Sequence, residues 1–242
     1  MPPYSRDVHV LITGFGPFLD TKNNPSYASS KPLNGTTLSV PGQSVKIHIT
    51  VIEVLVTYEE VMAVVTGLHA IPPVLPARFG VTPPPLGYQF VLHMGQGLPG
   101  FIALETIAHG SGYEMIDVHG KYAPIITNAK KKSTKVVRGP RSHGLDDELA
   151  TDIDVEQLVQ FLNKTDKNVQ VSDDPGRYLC DFIFYASLAQ AQLQKAGDPT
   201  SSPAKVLFMH VPPPEEPHTV AQMTETVKRL VPWVVANHVL TE

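Results

Sequence analysis

The only cysteine of the chain, Cys180, stands where a turn meets a helix. The turn-forming "SDDPGRY" precedes it, and the apolar, helically spaced "CDFIFYASLAQAQLQ" (180–194) begins with it. A side chain at a helix N-terminus faces free backbone N–H groups and the positive end of the helix dipole, which stabilise a thiolate or an oxyanion. The position therefore predicts a candidate nucleophile. A buried thiol acting as a small apolar residue is the competing interpretation.

A nucleophilic cysteine needs a base, and a histidine base needs a carboxylate to orient it. Among ten histidines, His210 is the best placed, because it ends "KVLFMH" at the expected carboxyl edge of a sheet. Glu105 lies inside the apolar stretch "GFIALETIAHGSGY" and must be either exposed or partnered. Taken singly, His210 is better interpreted as an ordinary satisfied histidine at a strand end, whereas an edge glutamate facing water and a functional carboxylate are equally good interpretations of Glu105.

Three other patterns are weaker candidates for a site. The segment "GQGLPG" (95–100) fits G-x-G-x-x-G, but Pro99 beside the third glycine and the glycine-rich "HGSGY" soon after it argue against dinucleotide binding. The basic run 128–141 has no interleaved aromatic residues and belongs to an acidic chain, so a solvated loop is favoured over a nucleic-acid site. A zinc site would have to be assembled from the scattered His109, His119 and His143.

The elements that must position these residues alternate between strands and helices. Apolar or alternating runs predict strands at 8–15, 44–54, 89–97, 168–172 and 204–211. Helical spacing predicts helices at 57–70, 154–164, 180–194 and 219–240, with caps at Thr57 and Asp154 and a kink or break at Pro232. The alternation predicts an α/β sandwich with a largely parallel sheet. We expect a single domain over residues 1–242, with a proline-rich insertion around 70–88.

Composition narrows the class of protein. The chain has 242 residues, of which 42% are hydrophobic, so a substantial core is expected. A formal net charge of −4 gives no general attraction to nucleic acid or an anionic membrane, and no apolar run is long enough to span a bilayer. One cysteine cannot form an internal disulfide, and the first residues do not resemble a signal peptide. We therefore expect a cytoplasmic protein that binds neither nucleic acid nor membrane.

Four stretches together resemble one family, the pyroglutamyl peptidase I (pyrrolidone-carboxylate peptidase) cysteine peptidases. They are "LITGFGPF" with the "NNPS" that follows, "HMGQG" with "LETIAHGSGY", "PGRYLCDFIFYASL" and "VLFMHVPPPEEP". The matches occur in the order of the family and span residues 10 to 217, which makes the order more specific than any single motif. The resemblance implies a single-domain, three-layer α/β/α sandwich around a twisted, mixed, mainly parallel sheet.

The resemblance also implies roles for individual residues. Cys180 would be the nucleophile, His210 the general base and acid, and Glu105 the carboxylate that orients the histidine. A further set matches positions that shape the pocket for the pyroglutamyl ring: Phe15, Phe18, Gln96, Tyr178 and Leu179. A flat, uncharged lactam suits aromatic walls and a few amide hydrogen bonds. The implied activity is hydrolysis of the bond after an N-terminal pyroglutamyl residue of peptides.

This sequence departs from the family pattern at several places. Thr106 and Gly110 stand where the family often has a basic residue and an asparagine, and Lys121 is the available substitute for a family arginine. The alternative hypothesis is therefore a catalytically impaired relative that binds peptides or regulates on the same scaffold. In either case the resemblance implies no cofactor and no metal. Whether the protein is a monomer or a homo-oligomer is undecided from the sequence.

Overall fold

The structure, a computed structural model, describes residues 7–18, 21–126, 137–140, 144–165 and 168–241. Within these ranges the chain forms nine strands: β1 (Asp7–Phe15), β2 (Thr37–Ser39), β3 (Lys46–Val54), β4 (Phe90–Gln96), β5 (Ile102–Glu105), β6 (Ile107–His109), β7 (Glu148–Ala150), β8 (Val169–Ser172) and β9 (Lys205–Val211). The α-helices in the same ranges are α1 (Pro25–Ser30), α2 (Tyr58–Leu68), α3 (Val155–Leu162), α4 (Leu179–Gly197) and α5 (Val220–Val234).

Seven strands form one mixed sheet in the order β2-β3-β1-β4-β9-β5-β8. The four central strands β3, β1, β4 and β9 run parallel to one another. β2 is antiparallel to β3, and β5 is antiparallel to β9 while pairing in parallel with β8. β6 and β7 form a separate antiparallel pair. The reversal between β9 and β5 matters for the site, because it brings the carboxyl end of β5 alongside the middle of β9.

Helices cover both faces of the large sheet. One set of buried apolar residues joins one sheet face to α3 and α5, and a second set joins the opposite face to α2 and α4. Helix α1 contacts α5 and therefore lies on the first side. These are the three layers of an α/β/α sandwich, so the predicted fold class is confirmed. None of the helices in the described ranges is both long and apolar enough to cross a membrane.

The predicted helix starts are confirmed in detail. Thr57 Oγ1 accepts the N–H of Glu60 at 3.2 Å, and Asp154 Oδ1 accepts the N–H of Gln157 at 2.9 Å. The break that we allowed at Pro232 is wrong, because α5 continues through that residue and passes into a π-helical turn at Val235–Val239; a kink there stays a prediction. The proline-rich stretch 70–88 is irregular apart from a 3₁₀ turn at Ala77–Phe79. That this stretch is an insertion stays a prediction.

Two buried histidines lie between the sheet and the α2/α4 layer. The Nδ1 atom of His93 lies 2.8 Å from Thr13 Oγ1, and the Nε2 atom of His69 lies 2.7 Å from Ser187 Oγ. Burial lowers the pKa of each imidazole to about 3, and for His93 the neighbouring His69 adds to the effect. Both side chains are therefore neutral in the folded protein at neutral pH.

We expect the stability of the fold to fall in mild acid. Because the folded-state pKa of His69 and His93 lies below the unfolded value of 6.5, the unfolded chain binds more protons as the pH drops below that value. Each histidine then reduces the free energy of unfolding by up to about 1.4 kcal/mol per pH unit. Urea unfolding at several pH values between 7 and 4 measures how steeply the free energy of unfolding falls with pH. This pH dependence should become weaker in His93→Gln and stay unchanged when the exposed His119 is replaced.

Candidate active site

Glu105 and His210 lie on neighbouring antiparallel strands and share a short hydrogen bond. In the register of β5 and β9, Glu105 is opposite Phe208 and Ala103 is opposite His210. Glu105 and His210 are thus diagonal neighbours on one face of the sheet, within reach of long side chains. His210 Nδ1 donates to Glu105 Oε1 at 2.7 Å, and the carboxylate is 1% exposed. Glu105, which the sequence left as either exposed or partnered, is buried and partnered.

Cys180 approaches this pair from the helix layer above the sheet. It is the second residue of α4, after Tyr178 in extended conformation, and is partly exposed. The first bond within the helix is from Phe182 N–H to the carbonyl of Tyr178, so the N–H groups of residues 179–181 precede the helical ladder. Gly95, the register neighbour of His210 on β4, leaves the room for the sulfur, since a Cβ at Gly95 would lie 2.6 Å from Sγ of Cys180.

The histidine is held in its charged form. Burial by itself lowers the pKa of His210, but the charge and hydrogen bond of Cys180, followed by those of Glu105, outweigh burial and raise the pKa to about 10. Because Nδ1 is bonded to Glu105, Nε2 is the nitrogen left for the sulfur. The arrangement can hold a thiolate beside an imidazolium, which is the resting pair of a cysteine nucleophile with its general acid.

Aromatic side chains form a wall beside the cysteine. The rings of Phe18 and Tyr178 lie 5.5 Å apart, and Tyr58 meets Tyr178 edge-on at 6.2 Å. The Tyr178 hydroxyl donates to the carbonyl of Ile116 at 3.2 Å. Burial, with smaller contributions from Asp117 and Cys180, raises the pKa of Tyr178 to about 12, so the hydroxyl keeps its proton. The rings of Phe18 and Tyr178 are tilted by 42° to each other, and they form an uncharged aromatic surface against which a small, flat ring could pack.

The other residues predicted for the pocket occupy different depths. Phe15 and Leu179 are 4% and 1% exposed and belong to the apolar core between the sheet and the α2/α4 layer. Gln96 ends β4 and is partly exposed. Side chains alternate along a strand, so Gln96 faces away from the side on which Gly95 meets Cys180. A contribution of Gln96 to the pocket would therefore come from its backbone.

The residues that depart from the family pattern make other contacts. Thr106 donates both its N–H and its hydroxyl to the carbonyl of Ser172, at 2.8 and 2.9 Å. Lys121 Nζ lies 2.6 Å from Glu59 Oε2 at the exposed surface. Gly110 donates its N–H to the carbonyl of Asp147. These three residues are engaged in structural contacts of the surrounding segments.

The alternative sites gain no support from the geometry. "GQGLPG" runs from β4 into β5, so the helix that a dinucleotide fingerprint requires does not follow it. His109 contacts Asp181, His119 lies in an exposed loop, and His143 lies outside the described residues. In the described ranges no three His, Cys, Asp or Glu side chains are grouped so as to hold a metal ion. The basic run 128–141 lies outside the described residues except for 137–140.

Sequence reasoning missed two residues that shape the site. Gly95 was noted only as part of a rejected glycine motif and of the stretch "HMGQG", with no role of its own, although it provides the space for Sγ of Cys180. The ring of Phe208 packs 4.7 Å from that of His210 and limits its movement. The alternation of β9, which puts residues 208 and 210 on one face, is the signal that could have found Phe208.

We expect Gly95→Ala to inactivate the site without unfolding the protein. The added Cβ would lie 2.6 Å from Cys180 Sγ and 2.8 Å from the ring of Phe208, so the sulfur must move away from His210. A displacement of this kind costs about 100-fold in kcat/KM. Steady-state kinetics with a pyroglutamyl substrate measure the loss. The matched control is Gly197→Ala, where an added Cβ meets nothing within 4 Å; wild-type kinetics in Gly95→Ala would contradict the geometry.

Comparison with known proteins gives a consistent result. The chain is 29% identical to the mouse protein named pyroglutamyl-peptidase 1, over 92% of this chain and 87% of that one. It is 30% identical to a pyrrolidone-carboxylate peptidase of Saccharolobus islandicus, over 76% of this chain and 73% of the relative. No protein-family model matches the chain.

Solved structures share the fold at lower sequence identity. The crystal structure of Bacillus amyloliquefaciens pyroglutamyl peptidase I superposes with a TM-score of 0.70 at 20% identity, over 95% of this chain and 98% of that one. A mutant (E192Q) pyrrolidone carboxyl peptidase of Pyrococcus furiosus gives a TM-score of 0.67 at 18% identity, over 95% and 99% of the two chains. At these identities the structural likeness supports the fold.

Proposed function

This chain belongs to the pyroglutamyl-peptidase (pyrrolidone-carboxylate peptidase) family, and we propose that it is a cysteine peptidase that releases N-terminal pyroglutamate from peptides. The observation that carries the proposal is the contact of His210 with Glu105 on one side and Cys180 on the other. The three side chains come from β9, β5 and α4, and all three meet on one face of the sheet. No observation favours a catalytically impaired relative.

The first half of the reaction uses the thiolate of Cys180 and the charged His210. The sulfur attacks the carbonyl carbon of the pyroglutamyl residue, and the carbonyl oxygen becomes an oxyanion. The N–H groups at the start of α4 are available to bind that oxyanion. The bond to nitrogen then breaks, His210 gives its proton to the leaving amine, and a thioester remains on Cys180.

The second half returns the enzyme to its starting state. His210, now neutral, takes a proton from water as the water attacks the thioester carbonyl. The bond between carbon and sulfur breaks, pyroglutamate leaves, and the thiolate and imidazolium are restored. Glu105 stays bonded to Nδ1 throughout, which keeps Nε2 directed at the reacting atoms and stabilises the imidazolium.

The pocket that we propose for the pyroglutamyl ring lies against the wall of Phe18 and Tyr178. Phe15 and Leu179 support it from the core, and the backbone of Gln96 closes it at the end of β4. The lactam carries no charge, so the aromatic wall needs no acidic side chain to bind it. An ordinary N-terminal residue, with its ammonium group, would have to be desolvated there without a counter-ion, which is costly.

We place this activity in the cytoplasm. A catalytic thiolate must stay reduced, and a reducing compartment protects the partly exposed Cys180 from oxidation. The partners of the protein are then pyroglutamyl peptides, with no role for nucleic acid or membrane. The net charge of −4 is in keeping with this.

The test compares pyroglutamyl-aminomethylcoumarin with prolyl-aminomethylcoumarin in a reducing buffer. The prolyl compound has the same ring with a charged amine in place of the lactam. We expect release of the fluorophore from the pyroglutamyl compound alone, and loss of that activity after iodoacetamide treatment. Equal rates on both compounds, or no hydrolysis by the folded protein, would refute the proposal.

A further inference from the structure

Asp181 is a buried carboxylate that the reaction described above does not use. It directly follows Cys180 in α4 and is 0% exposed. Its helix neighbours Leu179, Phe182 and Ile183 are buried apolar residues of the core. A buried ionisable group costs stability unless specific partners compensate it, and an apolar side chain would fill the same space without that cost.

The partners of Asp181 come from a different part of the chain. Oδ1 accepts the backbone N–H of His109 at 2.9 Å, and Nδ1 of the His109 ring lies 3.3 Å from Oδ2. The Tyr113 hydroxyl donates to the carbonyl of His109 at 2.5 Å, and Tyr113 is one of the groups that lower the pKa of Asp181 against the effect of burial. Arg177, in the turn before α4, places Nη1 3.6 Å from Oδ2.

These contacts connect two of the three segments that carry the candidate catalytic residues, those of Glu105 and Cys180. His109 ends β6, which follows β5 after Thr106, so it stands four residues beyond Glu105. Asp181 stands next to Cys180. The carboxylate therefore fastens the first turn of α4 to the segment that continues from Glu105. Asp181 is one residue from Cys180, and its partner His109 is four residues from Glu105, so the contact joins the chain close to both side chains.

We propose that Asp181 is a positioning residue, whose ionised carboxylate holds Cys180 in register with His210 through its hydrogen bond from the backbone of His109 and its ion pairs with the His109 ring and Arg177. This inference rests on the proposed peptidase function. The role is geometric, since the carboxylate contacts β6 and the turn before α4 instead of the reacting atoms.

Protonation of the carboxylate gives this role a pH dependence. Burial raises the pKa of Asp181 to about 6, against the opposing effects of the bonds from His109 and Tyr113 and the charges of His109 and Arg177. Glu148 on β7 faces the far side of the His109 ring, with Oε2 3.8 Å from Nε2. Below pH 6 the carboxyl becomes neutral and its attraction to His109 and Arg177 is lost. Cys180 is then held less firmly.

The test is Asp181→Asn, which keeps the shape and an acceptor for His109 N–H but removes the charge. We expect kcat to fall by about 10- to 100-fold with KM within about twofold, because ground-state binding does not involve this group. The decline of kcat on going below pH 6 should also disappear in the variant. The matched control is Asp174→Asn, which removes the exposed carboxylate on the same Arg177 and should leave the kinetics unchanged.

A second readout separates this inference from the proposed function. Cys180 is the only cysteine, so the rate of alkylation by iodoacetamide reports its reactivity even if no pyroglutamyl substrate is turned over. Alkylation should be several-fold slower in Asp181→Asn than in wild type or Asp174→Asn. If iodoacetamide alkylates Cys180 of the wild type but the protein does not hydrolyse the substrate, the proposed function fails. The alkylation rates of the variants then still test the positioning role of Asp181.

Tyr113→Phe covers the case in which Asp181→Asn does not fold. It removes only the hydroxyl from the same network and should lower kcat and the alkylation rate by about threefold without changing KM. The inference is overturned if a folded Asp181→Asn protein has the kcat, pH profile and alkylation rate of wild type. It is equally overturned if Asp181→Asn fails to fold and Tyr113→Phe behaves as wild type.

Discussion

Replacing Cys180 with alanine should lower kcat for pyroglutamyl-aminomethylcoumarin by about 10⁴-fold or more, because loss of the nucleophile leaves only binding and the oxyanion donors. The change deletes the sulfur and leaves the rest of the first turn of α4 in place. Binding of the pyroglutamyl ring against Phe18 and Tyr178 should persist, so the variant should still bind a non-hydrolysed pyroglutamyl peptide. Initial rates measure the loss of kcat, and isothermal calorimetry measures binding of the peptide.

The matched control for Cys180→Ala is Gln192→Ala, an exposed position on the same helix. It should retain wild-type kinetics and the thermal melting temperature. Residual hydrolysis in Cys180→Ala within tenfold of wild type would mean that another group attacks the substrate. In that case Cys180 would be a structural thiol with no role in bond formation, close to the competing interpretation of its place in the sequence.

Replacing His210 with alanine should lower kcat by about 10³- to 10⁴-fold, because both proton transfers lose their carrier. The imidazolium also stabilises the thiolate of Cys180, which is the leading reason that the pKa of His210 is raised. Alkylation of Cys180 by iodoacetamide near neutral pH should therefore slow in parallel with hydrolysis. Stopped-flow alkylation and steady-state assays on the same preparation give both rates.

The control for His210→Ala is His119→Ala, which removes an exposed histidine that belongs to neither β5 nor β9. Removing His210 also leaves the buried Glu105 without its partner, so a melting curve must show that the variant is folded. A folded His210→Ala protein with hydrolysis close to wild type would show that the proton carrier lies elsewhere.

The central elements of the fold could be predicted from local patterns. The apolar runs of β1, β4 and β9 are buried on both faces, which makes them nearly continuous in hydrophobicity. The starts of α2 and α3 could be predicted from Thr57 and Asp154, because a side-chain oxygen at a helix start accepts a hydrogen bond from a free N–H group. These signals depend only on residues close together in the chain.

The geometry of the site could not be predicted from local patterns, because it depends on contacts between residues far apart in the chain. No local pattern shows that β5 runs antiparallel to β9, and that reversal alone makes Glu105 a diagonal neighbour of His210. The position of Cys180 at a helix start made it a candidate nucleophile, but the sequence could assign a role to Glu105 only through the order of four motifs. The contacts of Asp181 with His109 and Tyr113 likewise join residues about 70 positions apart.

The continuity of α5 through Pro232 shows the limit of propensity arguments. A proline in a helix removes one N–H donor and crowds the preceding turn, so a kink or break is the ordinary expectation. Here the buried face of α5, which includes Leu230, Val231 and Val234, packs on the sheet and outweighs that cost. The chain passes into a π-helical turn after Val234 instead of leaving the helix.

The measurement that tests the central claim most directly is labelling with a pyroglutamyl chloromethyl ketone, followed by peptide mass spectrometry. The pyroglutamyl group directs the reagent to the proposed pocket, and the chloromethyl carbon alkylates the attacking nucleophile. The account predicts one adduct per chain, on Cys180, formed in step with the loss of hydrolysis, and much slower labelling by the prolyl analogue. An adduct on another residue that accompanies inactivation, or a folded protein that stays unlabelled, would contradict it.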